Sequence, residues 1–136
     1  MKLKNIKISN YRCFEEAKID FDDHITLVVG KNGAGKTAIL DAVAVSVSTF
    51  LLGIDGGVSR SILKDDARYE FHDLNGTIDP QHQFPVSIES TGDCLNQQDV
   101  KWIRSLNSES GKTTIKDAGE LTGLAKKAQN QIMTGD

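Results

Sequence analysis

Residues 30–37 of the chain read Gly30-Lys31-Asn32-Gly33-Ala34-Gly35-Lys36-Thr37. This segment fits the phosphate-binding pattern G-x-x-x-x-G-K-[ST] at every fixed position. Glycines let successive backbone N–H groups approach phosphate oxygens, because no Cβ atoms stand in between. Lys36 is expected to reach the β- and γ-phosphates, and the Thr37 hydroxyl is expected to ligate the bridging Mg²⁺. The pattern therefore predicts an ATP and Mg²⁺ site formed by Gly30, Lys31, Asn32, Gly33, Ala34, Gly35, Lys36, Thr37 and Ala38, with Thr37 as the metal ligand.

The flanks of this loop have the order that a phosphate loop needs, a strand before it and a helix after it. The run Ile25-Thr26-Leu27-Val28-Val29 is apolar and β-branched, which predicts a buried strand. Asp41, one turn after Thr37, is expected on the exposed side of the following helix with a local role. Apolar residues at three- and four-residue spacing predict one face of that helix: Ile39, Leu40, Val43, Ala44 and Val47.

Composition bounds the class of protein. The chain has 136 residues, of which 26% are charged and 38% hydrophobic, so it has the size and content of one small globular domain. A net charge of −3 creates no overall basic field, although a local basic patch stays open. Cys13 and Cys94 lie far apart without metal-binding partners, which indicates reduced thiols in a cytosolic protein. With no signal-peptide pattern and no apolar run judged long enough to span a membrane, we predict a soluble, cytoplasmic chain without a membrane partner.

Two further strands are predicted ahead of the one at residues 25–29. Residues 3–9 form the first, and Leu3 is out of phase with Ile6 and Ile8, so a bulge is expected near Asn5. After a turn through residues 10–14, the alternation over 17–21 predicts a second strand that pairs with the first as a hairpin. Such a hairpin is unlike a plain βαβ nucleotide fold.

These segments together resemble the opening of ATP-binding-cassette-type ATPase heads of the RecF, OLD and SMC group. The resemblance covers residues 1 to about 55 and depends on the turn Asn10-Tyr11-Arg12-Cys13-Phe14 and the run from Asn32 to Ala42. Residues 61–68 and the Trp102-Ile103-Arg104 strand are similar to stand-alone "AAA family" ATPases of bacterial defence islands, including the PtuA component of Septu and retron-associated systems.

The resemblance implies an α/β P-loop NTPase fold, with an ABC-ATPase-head-like mixed sheet whose N-terminal strands are antiparallel, here as the N-terminal half of a head. In that group the Asn-aromatic-Arg turn lies beside the nucleotide, so Asn10 and Arg12 become candidate ATP contacts. A solvated turn arginine is the alternative for Arg12, and Tyr11 and Phe14 are expected in the core.

The remainder of the chain is predicted as a loop and β-rich stretch over residues 56–110 and a helix within 111–136, after the strands, loop and helix of 1–55. Asp65-Asp66 is expected in a solvated loop, not as a metal or catalytic pair. His72 and His82 fit no metal spacing, and Gly76 with Pro80 predicts a loop between them.

The last features along the chain are two strands, a loop and a helix. Pro85 predicts that residues 84–89 form an edge strand, with 100–104 as its partner. Gly111-Lys112-Thr113 imitates the phosphate motif but lacks its first glycine, so it is predicted as a loop. Helical spacing begins at Thr114 or Asp117 and runs to about Met133.

Hydrolysis by such a head needs an acidic residue after a second apolar strand, a neighbouring glutamate and a partner's signature segment. No catalytic residue is assigned in this chain, which is expected to be either the N-terminal part of a longer ATPase or a complete small module. The leading hypothesis is the first, an ATP hydrolase whose isolated N-terminal part is inactive. It would dimerise on ATP with a second head, in a homodimer or higher oligomer, and act on DNA or with a nuclease in antiphage defence. The alternatives are a non-catalytic nucleotide-binding interaction module and a RecF/SMC-like DNA-repair ATPase.

Overall fold

The structure is a computed structural model that describes residues 1–31, 33 and 35–135. The chain begins with two strands and the helix that follows the glycine loop, and it ends with four strands and a second helix. The elements are β1 (Lys2–Tyr11), β2 (Phe14–Asp20), α1 (Lys36–Ser48), β3 (Tyr69–Leu74), β4 (Thr77–His82), β5 (Val86–Cys94), β6 (Gln97–Leu106) and α2 (Gly119–Thr134), with 3-10 turns at Thr49–Gly53, Lys64–Asp66 and Lys116–Ala118.

Four strands form the main sheet in the order β2-β1-β5-β6, and every neighbouring pair is antiparallel. Alternate residues of β5 are buried, as expected for a strand with one face on the core. Ile8 lies opposite Ile88 in the register of β1 and β5. The register of this pair shifts between Leu3 and Asn5, which confirms the predicted bulge. The predicted β1–β2 hairpin is confirmed as well.

Helix α1 lies on the buried face of this sheet. Its contact side is made of small residues, Ala38, Ala42, Val45 and Ser46, so the helix backbone comes close to the strands. The indole N–H of Trp102 on β6 donates to the carbonyl of Ser46 at 2.9 Å, and the Ser46 and Ser90 hydroxyls bond to each other. These contacts hold the C-terminal end of α1 against β5 and β6.

Residues Lys36–Gly53 form the one described stretch that is long and apolar enough to cross a membrane by length and composition. The sequence predicts that no apolar run is long enough to span a membrane, and the length of this stretch does not support that prediction. Core helices of globular proteins pass the same test, and α1 contacts both β1 and β5 in this structure. We therefore interpret the stretch as a core helix followed by a 3-10 turn.

The predicted buried strand at residues 25–29 is wrong for the described structure. The segment has no regular secondary structure, and Ile25, Leu27 and Val29 are 81%, 81% and 76% exposed. An apolar strand of this kind is stable when elements cover both of its faces. No described strand pairs with it, so its apolar side chains face solvent.

The helix after the loop is confirmed, but the face that is buried in the structure differs from the face that the apolar spacing predicts. Leu40 and Val47 are 57% and 41% exposed, whereas Ala38, Ala42 and Val45 are buried. Because α1 is apolar on more than one side, periodicity alone could not select the side that packs on the sheet.

Two predictions about the second half are also wrong. Residues 72–82 are not a loop, since β3 and β4 form an antiparallel hairpin around Gly76, whose φ of +82° suits glycine. The strand predicted at the sheet edge is β5, which lies between β1 and β6. Pro85 precedes the first residue of β5, so its missing N–H is not needed by the ladder. The pairing of β5 with β6, the loop at Gly111–Thr113 and helix α2 are confirmed.

Candidate phosphate-binding site

A cavity of about 360 Å³ lies at the N-terminal end of α1. It brings together residues of the predicted phosphate loop and residues of the turn between β1 and β2, although these segments are separated in sequence. Its described lining residues are Arg12, Cys13, Gly33, Gly35, Lys36, Thr37 and Ala38. Gly30 and Lys31 are exposed and do not line it, while Asn32 and Ala34 lie outside the described residues.

Gly35 sets the geometry of the loop as it enters the helix. It is the N-cap residue of α1 with φ of +93°, and its carbonyl accepts from the N–H of Ile39 at 3.0 Å. A Cβ at this position would lie 2.5 Å from Cζ of Phe14 and 3.2 Å from Sγ of Cys13. Both the positive φ and the lack of space therefore require glycine.

Lys36 and Thr37 occupy the first turn of α1, where the free N–H groups and the helix dipole favour an anion. The first turn contains no acidic residue, and no described residue forms an ion pair with Lys36. The lysine ammonium and the threonine hydroxyl are thus available for a phosphate and its metal ion, respectively. The residues present fit a Mg²⁺-bound nucleotide at this end of the helix.

Arg12 lies beside the cavity and is held by two carboxylates. Its Nη1 is 2.6 Å from Oδ2 of Asp41, and its Nε donates to Oδ1 of Asp66 at 3.1 Å. Oδ1 of Asp41 also contacts Nη2 of Arg60 at 2.9 Å. The alternative of a solvated turn arginine does not describe this environment, because 30% of the Arg12 side chain is exposed.

The roles predicted for Asp41 and Asp66 are corrected by these contacts. Asp41 was expected to act locally on an exposed helix face, but only 18% of its side chain is exposed and it joins α1 to Arg12. Asp66 was expected in a solvated loop, but it is buried, and its Oδ2 accepts from the N–H of Leu63 at 2.8 Å. Leucine cannot cap a helix through its side chain, so the sequence carries no capping-box signal that could have identified this contact.

Burial and charge shift two pKa values next to the cavity. Burial raises the pKa of Tyr11 to about 12, and the negative charge of Asp66 adds to the shift. Burial acts to lower the pKa of Arg12, but Tyr11 and the hydrogen bonds to Asp66 and Asp41 outweigh it, so this pKa is raised. The guanidinium consequently keeps its positive charge beside the phosphate loop. Tyr11 is buried as expected, whereas Phe14 is half-buried.

The structure places Asn10 outside this cavity. Its side-chain amide donates to the carbonyl of Pro85 at 3.0 Å, and its Oδ1 accepts from Nε of Arg68 at 3.4 Å. Together with Ser9, Glu15 and Glu16 it lines a separate surface depression. Of the two turn residues predicted to contact ATP, Asn10 and Arg12, the described lining of the phosphate cavity therefore includes Arg12 and not Asn10.

A larger cavity, of about 450 Å³, lies at the C-terminal end of α1 and is unsuited to a phosphate. Its lining is almost entirely apolar and includes Met1, Val47, Phe50, Leu51 and Leu95. Within the described ranges, no group of three or more His, Cys, Asp or Glu residues is arranged to hold a metal ion. The cavity at the start of α1 is hence the candidate site of this chain.

Short segments of known DNA-repair proteins match the chain. The DNA double-strand break repair Rad50 ATPase of Archaeoglobus fulgidus is 48% identical over 44 residues, which are 32% of this chain and 5% of that protein. The DNA replication and repair protein RecF of Flavobacterium johnsoniae is 51% identical over 43 residues, which are 32% of this chain and 12% of that protein. The chain thus matches a small fraction of the length of these relatives.

A solved structure from work on the ATP-driven dimerization and DNA-stimulated activation of SMC ATPases has the same fold. It superimposes with a TM-score of 0.57 and 17% identity, over 92% of this chain and 80% of that chain. The predicted ABC-ATPase-head-like α/β fold with N-terminal antiparallel strands is confirmed. The predicted mixed sheet is not, since every described pair of strands is antiparallel. The family model described as an AAA domain, AAA_23, matches residues 5–134, so this chain belongs to the AAA_23 family of AAA domains.

Proposed function

We propose that the chain binds ATP with Mg²⁺ at the start of α1. The observation that carries this proposal is the single cavity shared by Arg12, Lys36 and Thr37. Lys36 would neutralise the phosphates of the nucleotide, the Thr37 hydroxyl would be a ligand of the Mg²⁺, and the glycine loop would supply backbone N–H donors. The metal ion would supply further charge neutralisation.

The chain acts, in this proposal, as the N-terminal part of an ATPase head that dimerises on ATP. Supporting observations are the family match, the fold of an SMC ATPase and the uncovered apolar segment Ile25–Val29, which further strands of a head would cover. Hydrolysis then depends on acidic and signature residues outside residues 1–136. The names of the Rad50 and RecF relatives favour DNA as the partner. A cytoplasmic location stays a hypothesis that comes from the sequence. Antiphage defence and a nuclease partner stay hypotheses that come from the sequence resemblance.

The experiment that tests nucleotide binding compares two lysine variants by calorimetric titration with ATP and Mg²⁺. Lys36→Ala removes the charge at the cavity and is expected to abolish measurable binding, because a buried or half-buried phosphate needs charge-assisted donors. Lys112→Ala is the matched control, since Lys112 lies in the exposed Gly111–Thr113 loop that imitates the motif. It is expected to bind like the unaltered chain.

Thermal unfolding shows whether both variants are folded. Little change in stability is expected for the exposed Lys112, because a surface substitution changes the free energy of unfolding by roughly 0.5 kcal/mol or less. Lys36 is half-buried, so its variant must be shown to unfold cooperatively near the same temperature. Equal affinity of the Lys36→Ala variant and the unaltered chain would exclude this site. If the 136-residue chain hydrolysed ATP and Lys36→Ala abolished this turnover, hydrolysis would not need residues outside the chain.

A further inference from the structure

The conformation of Arg12 is set before any ligand is present. Its backbone has φ of +52°, in the left-handed region that non-glycine residues rarely adopt. The Arg12 N–H donates to the carbonyl of Asp66 at 2.6 Å, and the guanidinium lies 5.4 Å from the centre of the Tyr11 ring. The turn therefore presents the side chain in one direction, toward the edge of the phosphate cavity.

Two carboxylates then fix the rotation of the guanidinium. Asp41 contacts Nη1 at 2.6 Å and Asp66 contacts Nε at 3.1 Å, so the two ion pairs use different nitrogens of one planar group. Asp41 and Asp66 are 18% and 11% exposed, which limits screening by water. A planar group held at two points cannot turn without breaking one of them.

Asp41 connects this arrangement to the phosphate loop. It lies on α1 one turn after Thr37, so the helix that begins with Lys36 also carries the carboxylate that orients Arg12. Its other oxygen is occupied by Arg60 at 2.9 Å, which keeps the carboxylate from rotating away. The positions of Arg12 and Lys36 relative to each other are consequently set by one rigid element.

We propose that Asp41 is a positioning residue for nucleotide binding, which holds the Arg12 guanidinium at the cavity so that it meets the phosphates together with Lys36. The inference rests on the proposed function, because it assigns a role in binding Mg-ATP. Arg12 has a second effect in this arrangement. Together with Arg60 it balances the charges of Asp41 and Asp66, which would otherwise repel an incoming phosphate.

The test is calorimetric titration of Asp41→Asn with ATP and Mg²⁺. Asparagine keeps the size of the side chain but loses the charge-assisted contact, so the affinity is expected to fall roughly tenfold. Asp65→Asn is the matched control, because it changes the net charge equally at an exposed residue beside Asp66. Its affinity is expected to equal that of the unaltered chain.

A double-substitution cycle with Arg12→Ala separates positioning from a structural role. If Asp41 acts through Arg12, Asp41→Asn causes no further loss of affinity when Arg12 is already absent. An equal loss with and without Arg12, or no loss in either, would overturn the inference. If ATP binding did not depend on Lys36 at all, the proposed function would be overturned, and the role of Asp41 with it.

The variant Arg12→Lys gives a second test, which leaves Asp41 and the rest of α1 unchanged. Lysine carries the charge of Arg12 at one point and cannot contact both carboxylates through separate nitrogens. Arg12→Lys is therefore expected to lose affinity about as much as Asp41→Asn while its thermal stability stays close to that of Asp41→Asn. Full affinity of Arg12→Lys would contradict the need for a guanidinium held at two points.

Discussion

At the scale of single residues, the site depends on side chains whose partners are remote in sequence. Arg12 and Asp66 are 54 positions apart, and no spacing rule relates them. Glycine and lysine at fixed positions of the loop could be predicted, because the chemistry of a phosphate demands those residue types at that spacing. Asp41 and Asp66 could be located only once β1, α1 and the 3-10 turn at Lys64–Asp66 were folded together.

Tyr11 provides a pH-dependent prediction at this scale. Its pKa is raised from 10.0 to about 12, so the folded state keeps the phenol protonated where the unfolded state has lost the proton. The contribution of Tyr11 to stability is present below pH 10 and is lost as the pH rises through about 12.

The measurement uses tyrosinate absorbance in the Tyr69→Phe variant, because the chain has two tyrosines. The absorbance is expected to rise with a midpoint near pH 12, in step with loss of structure. A midpoint at pH 10 with the chain still folded would contradict the burial of Tyr11 and the nearby charge of Asp66. Tyr11→Phe serves as the control that removes the transition.

At the scale of elements, the four strands of the main sheet could be located in the sequence more easily than their order in the sheet could be predicted. Alternation identified β1, β2, β5 and β6, because half-buried antiparallel strands repeat every two residues. It could not place β5 in the middle of the sheet, since a proline at the boundary of a strand resembles a proline on an edge. Likewise, the apolar residues of α1 identified the helix but could not select its packing side.

A prediction at this scale concerns the contact between α2 and the 3-10 turn Thr49–Gly53. A Cβ on Gly53 would collide with the carbonyl of Thr122, so Gly53→Ala is expected to destabilise the fold by about 1–3 kcal/mol. Gly123, the next residue of α2, has open space around it. Gly123→Ala is expected to stabilise the helix by up to ~1 kcal/mol.

Urea unfolding of the two variants measures these effects. Both variants carry the same glycine-to-alanine change, one at a crowded position and one at an open position. The midpoint is expected to fall for Gly53→Ala and to stay or rise for Gly123→Ala, with similar slopes. A stable Gly53→Ala variant would mean that α2 does not pack against the 3-10 turn as described.

At the scale of the whole molecule, apolar side chains are uncovered at several places in the described structure, and two of these surfaces lie one before and one after the glycine loop in sequence. One consists of Ile25, Leu27 and Val29, and the other is the outward side of α1 with Leu40 and Val47. Exposed apolar groups at this density favour association with other protein surfaces. The sequence predicts burial for the first surface, and in the proposed function further elements of an ATPase head would cover it.

Self-association of the isolated chain follows from these surfaces and can be measured by sedimentation. Leu27→Lys is expected to reduce association while changing the free energy of unfolding by roughly 0.5 kcal/mol or less, because Leu27 is 81% exposed. Ile115→Lys adds the same charge at a residue that is 62% exposed in the loop before α2. An equal reduction by both variants would attribute the effect to net charge instead of to the segment 25–29.

The hydrogen bond from Trp102 to the Ser46 carbonyl has a practical consequence for spectroscopy. Trp102 is the only tryptophan in the chain and is 1% exposed, so all indole fluorescence comes from the junction of α1 with β6. A buried tryptophan emits at a different wavelength from one in water. The emission wavelength therefore reports on the contact between Trp102 and Ser46. A shift in the spectrum during an ATP titration would signal movement at the far end of the helix that begins with Lys36, without any dye attached to the protein.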